Sequence, residues 1–212
     1  IIRNEEGGEI SRFYGYVADG IFQNQTEVNA HTDEYGTVIQ PNAQPGDIRF
    51  KDLNHDGKLD DNDKTFIGNA FPDLMVGINA RLAWKNIDFA ANFYGTIGND
   101  VYNTTKGRYS GVSGENVYAG TYNASWHGEG TSYDLPRLSY NDANQNWTRV
   151  SSFYVEDGSY LRCKQLQIGY TLPKKWTKKI SLRLSFSAQN PFTITGYSGM
   201  DPEAAALGTE GK

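Results

Sequence analysis

The stretch Leu74-Met75-Val76-Gly77-Ile78-Asn79-Ala80-Arg81-Leu82-Ala83-Trp84-Lys85-Asn86-Ile87-Asp88-Phe89-Ala90-Ala91-Asn92-Phe93-Tyr94-Gly95 decides the fold. Its first half places apolar residues on the even positions, with Gly77, Asn79 and Arg81 opposite. After Lys85-Asn86 the apolar positions become odd, and Asp88 and Asn92 look the other way. Period-two alternation of this length predicts two strands joined by a tight turn. Two further segments read the same way. Ile180 to Gln189 alternates strictly. Tyr160 to Leu172 alternates clearly only from Leu166 onward, and its first half, with Arg162 and Lys164, has no clear phase.

A soluble β-sandwich and a membrane β-barrel produce the same alternation, so length, connections and aromatic placement must discriminate. Eleven residues at about 3.3 Å each extend about 36 Å. Tilted by about 40°, they cover roughly the 25 Å apolar band of an outer-membrane barrel. The connections after Trp84 and Leu172 are short, whereas residues 96–158 form one long polar excursion. Short turns at one end and long loops at the other are the barrel asymmetry. Trp84, Tyr170 and Trp176 fall at the short-turn end, where an interfacial girdle belongs. The predicted fold class is therefore all-β, part of a large antiparallel transmembrane barrel with long extracellular loops. Residues 74–95 and 159–189 are its hairpins; 1–73, 96–158 and 190–212 are expected outside. In this reading Val76, Ile78, Leu82, Phe89, Phe93, Leu184 and Phe186 face lipid. Asn79, Arg81, Asp88, Asn92, Arg183 and Gln189 face inward.

The composition agrees. The 212 residues include 23 Gly and 14 Tyr and are 13% aromatic, an all-β palette. No apolar run reaches the length of a membrane helix, and no signal peptide opens the chain. A net charge of −5 argues against nucleic acid as a partner. Acidic residues crowd positions 5–63, while Lys174, Lys175, Lys178 and Lys179 cluster in one turn. The single cysteine, Cys163, excludes an internal disulfide.

Residues 52–63 carry the sharpest chemistry. Asp52, Asn54, Asp56, Asp60 and Asp63 stand at positions 1, 3, 5, 9 and 12 of a twelve-residue loop. Gly57 is at position 6, and Lys58 at position 7 offers its carbonyl. This is the ligand order of an EF-hand loop with Asp in place of the terminal Glu, so calcium is the expected cofactor. The flanks, Gly46 to Phe50 and Lys64 to Gly68, read as extended rather than helical, so the loop would be a structural clip rather than a sensor.

The excursion 96–158 holds Tyr102, Tyr109, Tyr118, Tyr122, Trp126, His127, Tyr133, Tyr140 and Trp147 among Asn, Gly and Ser. Of these, Tyr122, Trp126 and Trp147 are the candidate ligand-binding rings, suited to stacking on a sugar or capturing a peptide. The alternative is that such rings pack the excursion against itself. His31, His55 and His127 have no nucleophile or ligand partner at a recognisable spacing, so no enzyme is expected.

In order along the chain, several stretches carry a family resemblance: Phe13-Tyr14-Gly15-Tyr16, Asp19 to Gln23, and Gly46-Asp47-Ile48 before the calcium loop. They continue with Phe66-Ile67-Gly68-Asn69-Ala70-Phe71-Pro72, Tyr160-Leu161-Arg162, Gly169-Tyr170-Thr171-Leu172-Pro173, Gln189-Asn190-Pro191-Phe192, and Gly199-Met200-Asp201-Pro202-Glu203. Together they resemble the C-terminal part of a SusC/RagA-type TonB-dependent outer-membrane transporter. The resemblance implies a barrel of about 22 strands, an outer-membrane location in a Bacteroidetes-like Gram-negative bacterium, and a SusD-like surface lipoprotein as lid. It also implies contact with TonB through an N-terminal region that this sequence does not contain, and import of oligosaccharide or peptide. The family's plug, most of its strands and its last strand have no counterpart here, so a fragment of a larger chain is expected. A secreted, calcium-stabilised β-domain that binds carbohydrate is the competing reading.

Overall fold

The computed structural model describes residues 1–109, 116–178 and 180–203, the side chains of Arg108 and Tyr109 aside. The chain divides into two compact units: residues 1–70 with 101–156, and residues 71–100 with those from 157 onward. The second is the sheet that the alternation predicts. The first is a lobe built from the two segments expected as loops.

In the lobe, β1 (Ile2–Arg3), β2 (Arg12–Tyr16) and β5 (Lys64–Asn69) form one antiparallel sheet. A second pairs β3 (Ala18–Ile21) with β4 (Ile48–Phe50). Between β3 and β4 lies α1 (Gln25–Ala30), capped by Asn24, whose side chain accepts from the Glu27 N–H at 3.0 Å. The helix exists to bury Val28 against Phe22 and Ala43. Tyr16, Ile48 and Phe50 form a second core, packed by Leu59 and Phe153. His31 lies edge-on to Phe22 with Nε2 3.1 Å from the Phe50 carbonyl, and burial holds its imidazole below the ordinary pKa.

Side chains, not strands, hold the lobe together. Asp47, fully buried, accepts from Arg137 Nε at 2.5 Å, from Asn146 Nδ2 at 2.9 Å and from the Gln44 N–H at 2.8 Å. Asn146 Oδ1 in turn accepts from the Ile48 N–H at 2.9 Å and from Asn144 Nδ2 at 2.8 Å. Gln40 bridges the Ile48 carbonyl, the Phe50 N–H and Asn144. Buried amide and carboxylate groups are tolerated only when their partners are complete, and here the bonds of Arg137, Asn144 and Asn146 to Gln40, Asp47 and Ile48 tie residues 40–50 to residues 137–146. The excursion is thus ordered by long-range polar contacts that carry no periodicity.

Further along, β8 (Asp100–Tyr102), α2 (Thr121–Ala124) and β9 (Val155–Asp157) complete the excursion, β8 pairing with β9. Tyr102 and Tyr154 stack at 5.2 Å, and burial pushes the Tyr102 phenol up to about 12.

The second unit is a four-stranded antiparallel sheet of β6 (Leu74–Trp84), β7 (Ile87–Ile97), β10 (Tyr160–Thr171) and β11 (Arg183–Thr195), in the order β11-β10-β7-β6. The Lys85-Asn86 turn sets Trp84 opposite Ile87, with Lys85 at a left-handed φ of 54°. Between β10 and β11 runs α3 (Lys174–Thr177); Lys179 lies outside the described residues. Two features differ from expectation. The register of β10 shifts at Lys164 against both neighbours, a bulge that inverts its phase between Cys163 and Leu166. That inversion is why its first half shows no clear alternation. Expected over Ile180 to Gln189, β11 instead runs from Arg183 to Thr195. Asn190, at φ 47°, and Pro191 sit where pairing lapses opposite the bulge, and it resumes with Phe192 opposite Cys163. Proline cannot donate to a ladder, so it is confined to such an irregularity.

Candidate functional site

The registers assemble one apolar face across all four strands. Val76, Gly95, Leu161 and Ile194 share a row, as do Ile78, Phe93, Cys163 and Phe192. Beyond the bulge, Leu82, Phe89, Ile168 and Phe186 share another, and Trp84, Ile87, Tyr170 and Leu184 close the short-turn end. Phase inversion at Lys164 is what keeps Leu161 and Leu166 on the same side. This face is uncovered: Leu82, Trp84, Leu184, Phe186 and Ile194 are each at least 60% exposed. An open apolar surface of this extent marks a surface meant for an apolar environment or a partner. No helix among the described residues is long and apolar enough to cross a membrane, which says nothing of strands.

The opposite face is polar. Arg81, Asp88, Asn92, Gln165 and Gln167 line a depression of about 460 Å³ in it. Arg183 and Asp88 meet at 2.5 Å, reaching over β10 from the strands on either side. They can do so because Gly169 lies between them: a Cβ there would collide with both the guanidinium and the carboxylate. At the bulge, Arg162 is nearly buried and forks to Asp201 at 2.6 Å and Glu203 at 2.7 Å, while Lys164 reaches Glu203 at 2.7 Å. This four-residue charge cluster pins residues 201–203 to β10. No local pattern in the sequence pairs Arg162 with Glu203, because their partnership spans 41 positions.

In the twelve-residue loop, the carboxylates are turned onto the loop's own backbone. Asp52 accepts from the His55 and Gly57 N–H groups at 2.7 and 2.8 Å. Asp63, fully buried, accepts from Leu53 and Asp60 at 2.9 and 2.8 Å, and Asp60 caps the short helical turn 61–63. Asp56 takes the Lys58 N–H at 3.0 Å and the Asn54 amide at 2.9 Å. Gly57 has φ 79°, as position 6 requires. Among the described residues no three His, Cys, Asp or Glu side chains converge as a metal site. The donor set itself, five side-chain oxygens and a carbonyl, remains the hard all-oxygen chemistry that suits calcium.

The three candidate rings are not brought together. Trp147 is buried and packs edge-on to Phe153 at 5.8 Å, which removes it as an open stacking surface. The excursion folds by burying it, and Tyr154 Oη donates to its carbonyl. Trp126 lies half-buried against Gly46, its indole N–H buried and without an acceptor among the described residues. Tyr122 alone is open, 63% exposed and stacked on His127 at 5.2 Å. The side chain of Tyr109 is outside the described residues.

No family model matches the chain. Among curated proteins it is 35% identical over 202 residues to TonB-dependent receptor P3 of Formosa agariphila, covering 94% of this chain and 19% of that protein. It is 26% identical over 210 residues to TonB-dependent receptor SusC of Bacteroides thetaiotaomicron, covering 93% and 20%. In structure it superposes on the RagAB peptide importer in its open-open state with a TM-score of 0.64 at 21% identity, over 93% of this chain and 20% of that one. These relatives are named as receptors and importers, none as an enzyme. The chain spans about a fifth of the length of the proteins it matches. Alternation, register and an open apolar face already describe a barrel wall, and with these relatives the chain is of the SusC/RagA type of TonB-dependent receptor.

Proposed function

We propose that this chain supplies wall strands and an outer lobe to an energised outer-membrane importer of glycan or peptide nutrients, working with a SusD-like lipoprotein. The observation that carries the reading is the sheet itself. Four strands of eleven to thirteen residues present one uncovered apolar face and one polar face. A secreted β-domain would have to cover that apolar face with a second layer; a barrel wall would lay it against lipid. The polar face, with its Asp88–Arg183 pair, would line the lumen or meet a plug. TonB coupling would come from sequence other than these residues. The lobe, ordered by the Asp47 network, would be the outer surface on which the lid closes. A preordered surface loses less entropy on docking than a mobile loop does.

The test is purification of a tagged receptor carrying this sequence from native outer membrane. Detergent-dependent extraction with a co-purifying SusD-like lipoprotein is expected. Recovery of the chain in the aqueous fraction, with no lipoprotein attached, would overturn the reading in favour of a secreted domain.

Calcium is the second element of the proposal. Asp52, Asn54, Asp56, Asp60, Asp63 and the Lys58 carbonyl would hold it, and it would neutralise carboxylates that otherwise crowd twelve residues. Four ligand-position aspartates in one loop repel one another without a cation. Calcium at one hundred times its Kd should stabilise the lobe by about 2.7 kcal/mol through mass action. The double variant Asp52→Ala with Asp56→Ala should abolish that gain. Thermal unfolding with calcium and with chelator measures it, and equal midpoints in the unaltered chain would remove calcium from the account.

A further inference from the structure

The lobe contains a cleft of about 420 Å³ between residues 37–42, the 57–59 turn and residues 143–149. Its charge is one-sided. Lys58 and Arg149 are the only charged side chains in its lining, although the chain carries a net charge of −5 and a run of aspartates follows Lys58. Five other cations of the lobe each have a carboxylate partner: Arg49 and Lys51 pair with Asp19, Lys64 with Asp61, Lys106 with Glu156, and Arg137 with Asp47. Lys58 and Arg149 have no carboxylate at ion-pair distance among the described residues.

Arg149 is also held in place. Its guanidinium lies over the rings of Tyr16 and Phe50 at 4.8 and 5.0 Å, and Nη2 donates to Gln145 Oε1 at 3.1 Å. Nη1 is buried and has no acceptor among the described residues. Desolvation by this packing lowers its pKa, opposed by the charges of Tyr16, Asp142 and Asp63. A partly desolvated cation with an unused donor is a costly group to keep without a counter-ion. Its planar fork matches a carboxylate in particular, and Lys58 adds a second, mobile point charge. Pro41, Val38 and Leu59 supply apolar wall beside the exposed Asn42 amide.

We propose that this cleft binds a carboxylate-bearing ligand, with Arg149 and Lys58 holding the anion. The shared chemistry is a carboxylate on a small polar molecule, met in nature as a peptide C-terminus or as a uronic-acid residue. The site belongs to this chain alone and stands whether or not the importer reading holds.

Calorimetric titration of the full chain in detergent tests it with two matched pairs. One is an N-acetylated tripeptide as the free acid and as the C-terminal amide; the other is trigalacturonate and its methyl ester. At least one acid should bind about tenfold more tightly than its neutral partner, the scale of one charge-assisted contact. Which acid does so identifies the source. Lys58→Met and Asn42→Asp, both at exposed positions, should each weaken that acid severalfold while leaving the neutral partner unchanged; Arg149→Met should weaken it most. No binding by either acid, equal binding of acid and neutral forms, or acid binding indifferent to Lys58→Met and Asn42→Asp would each overturn the proposal.

Discussion

Phe186→Arg is expected to destabilise the receptor's barrel by about 1–3 kcal/mol, the cost of a guanidinium on a lipid-facing position one row inside the short-turn end, between the midplane and interface values. Phe186 is 66% exposed, opposite Ile168 and three strands from Leu82 in the same apolar face, so nothing among the described residues would shelter the charge. Ser187→Arg, one residue on and therefore on the polar face, should cost less than about 1 kcal/mol. The contrast between neighbours removes strand propensity and expression as explanations, because both variants place the same residue in the same strand. Equilibrium unfolding from bilayers of the receptor carrying this sequence would measure the pair. Equal costs would mean that the apolar face does not meet lipid.

Asp47→Ala should be the most damaging single change in the lobe, at about 3–5 kcal/mol, because it leaves a charged partner inside with nothing to bind. Arg137 would lose both of its contacts to the carboxylate, and the Asn146 amide and the Gln44 N–H would lose their acceptor. Asp47→Asn keeps the shape and one acceptor oxygen but not the charge, so its cost should fall to about 1.5–3 kcal/mol. Chemical denaturation followed by tryptophan fluorescence reads this directly, since Trp126 and Trp147 both lie in the lobe. A loss below about 1 kcal/mol for the alanine variant would show that the network is not what orders residues 137–146.

The sheet is legible in the sequence because alternation is a local property, visible without knowing what a strand pairs with. Its irregularities are not. The bulge at Lys164 is fixed by the registers of β7 and β11 together, and it surfaces in the sequence only as the lost phase between Tyr160 and Leu166. Asn190-Pro191 resembles a strand end, yet β11 resumes because the bulge opposite accommodates the interruption. The lobe was hardly legible at all. Its core polar contacts join residues 98 and 99 positions apart, Ile48 to Asn146 and Asp47 to Asn146, and no local pattern announces them. Gly46-Asp47-Ile48 looks like an approach to the twelve-residue loop 52–63, whereas Asp47 is the lobe's central acceptor. The order of oxygen ligands in 52–63 is local and so can be read; where the carboxylates point depends on the backbone N–H groups they find. Trp147 shows the same limit, since composition marks an aromatic ring but only packing decides whether it is open or buried.

The central claim is that one face of the sheet meets lipid and the other does not. Spin labels placed singly at Leu82, Ile168 and Phe186, and at Asn79, Gln167 and Ser187, in the bilayer-reconstituted receptor test it most directly. Collision with apolar oxygen should dominate at the first three positions, and collision with a polar nickel chelate at the second three. Equal accessibility to the two relaxers along both faces, or protection of the apolar positions from oxygen, would contradict it.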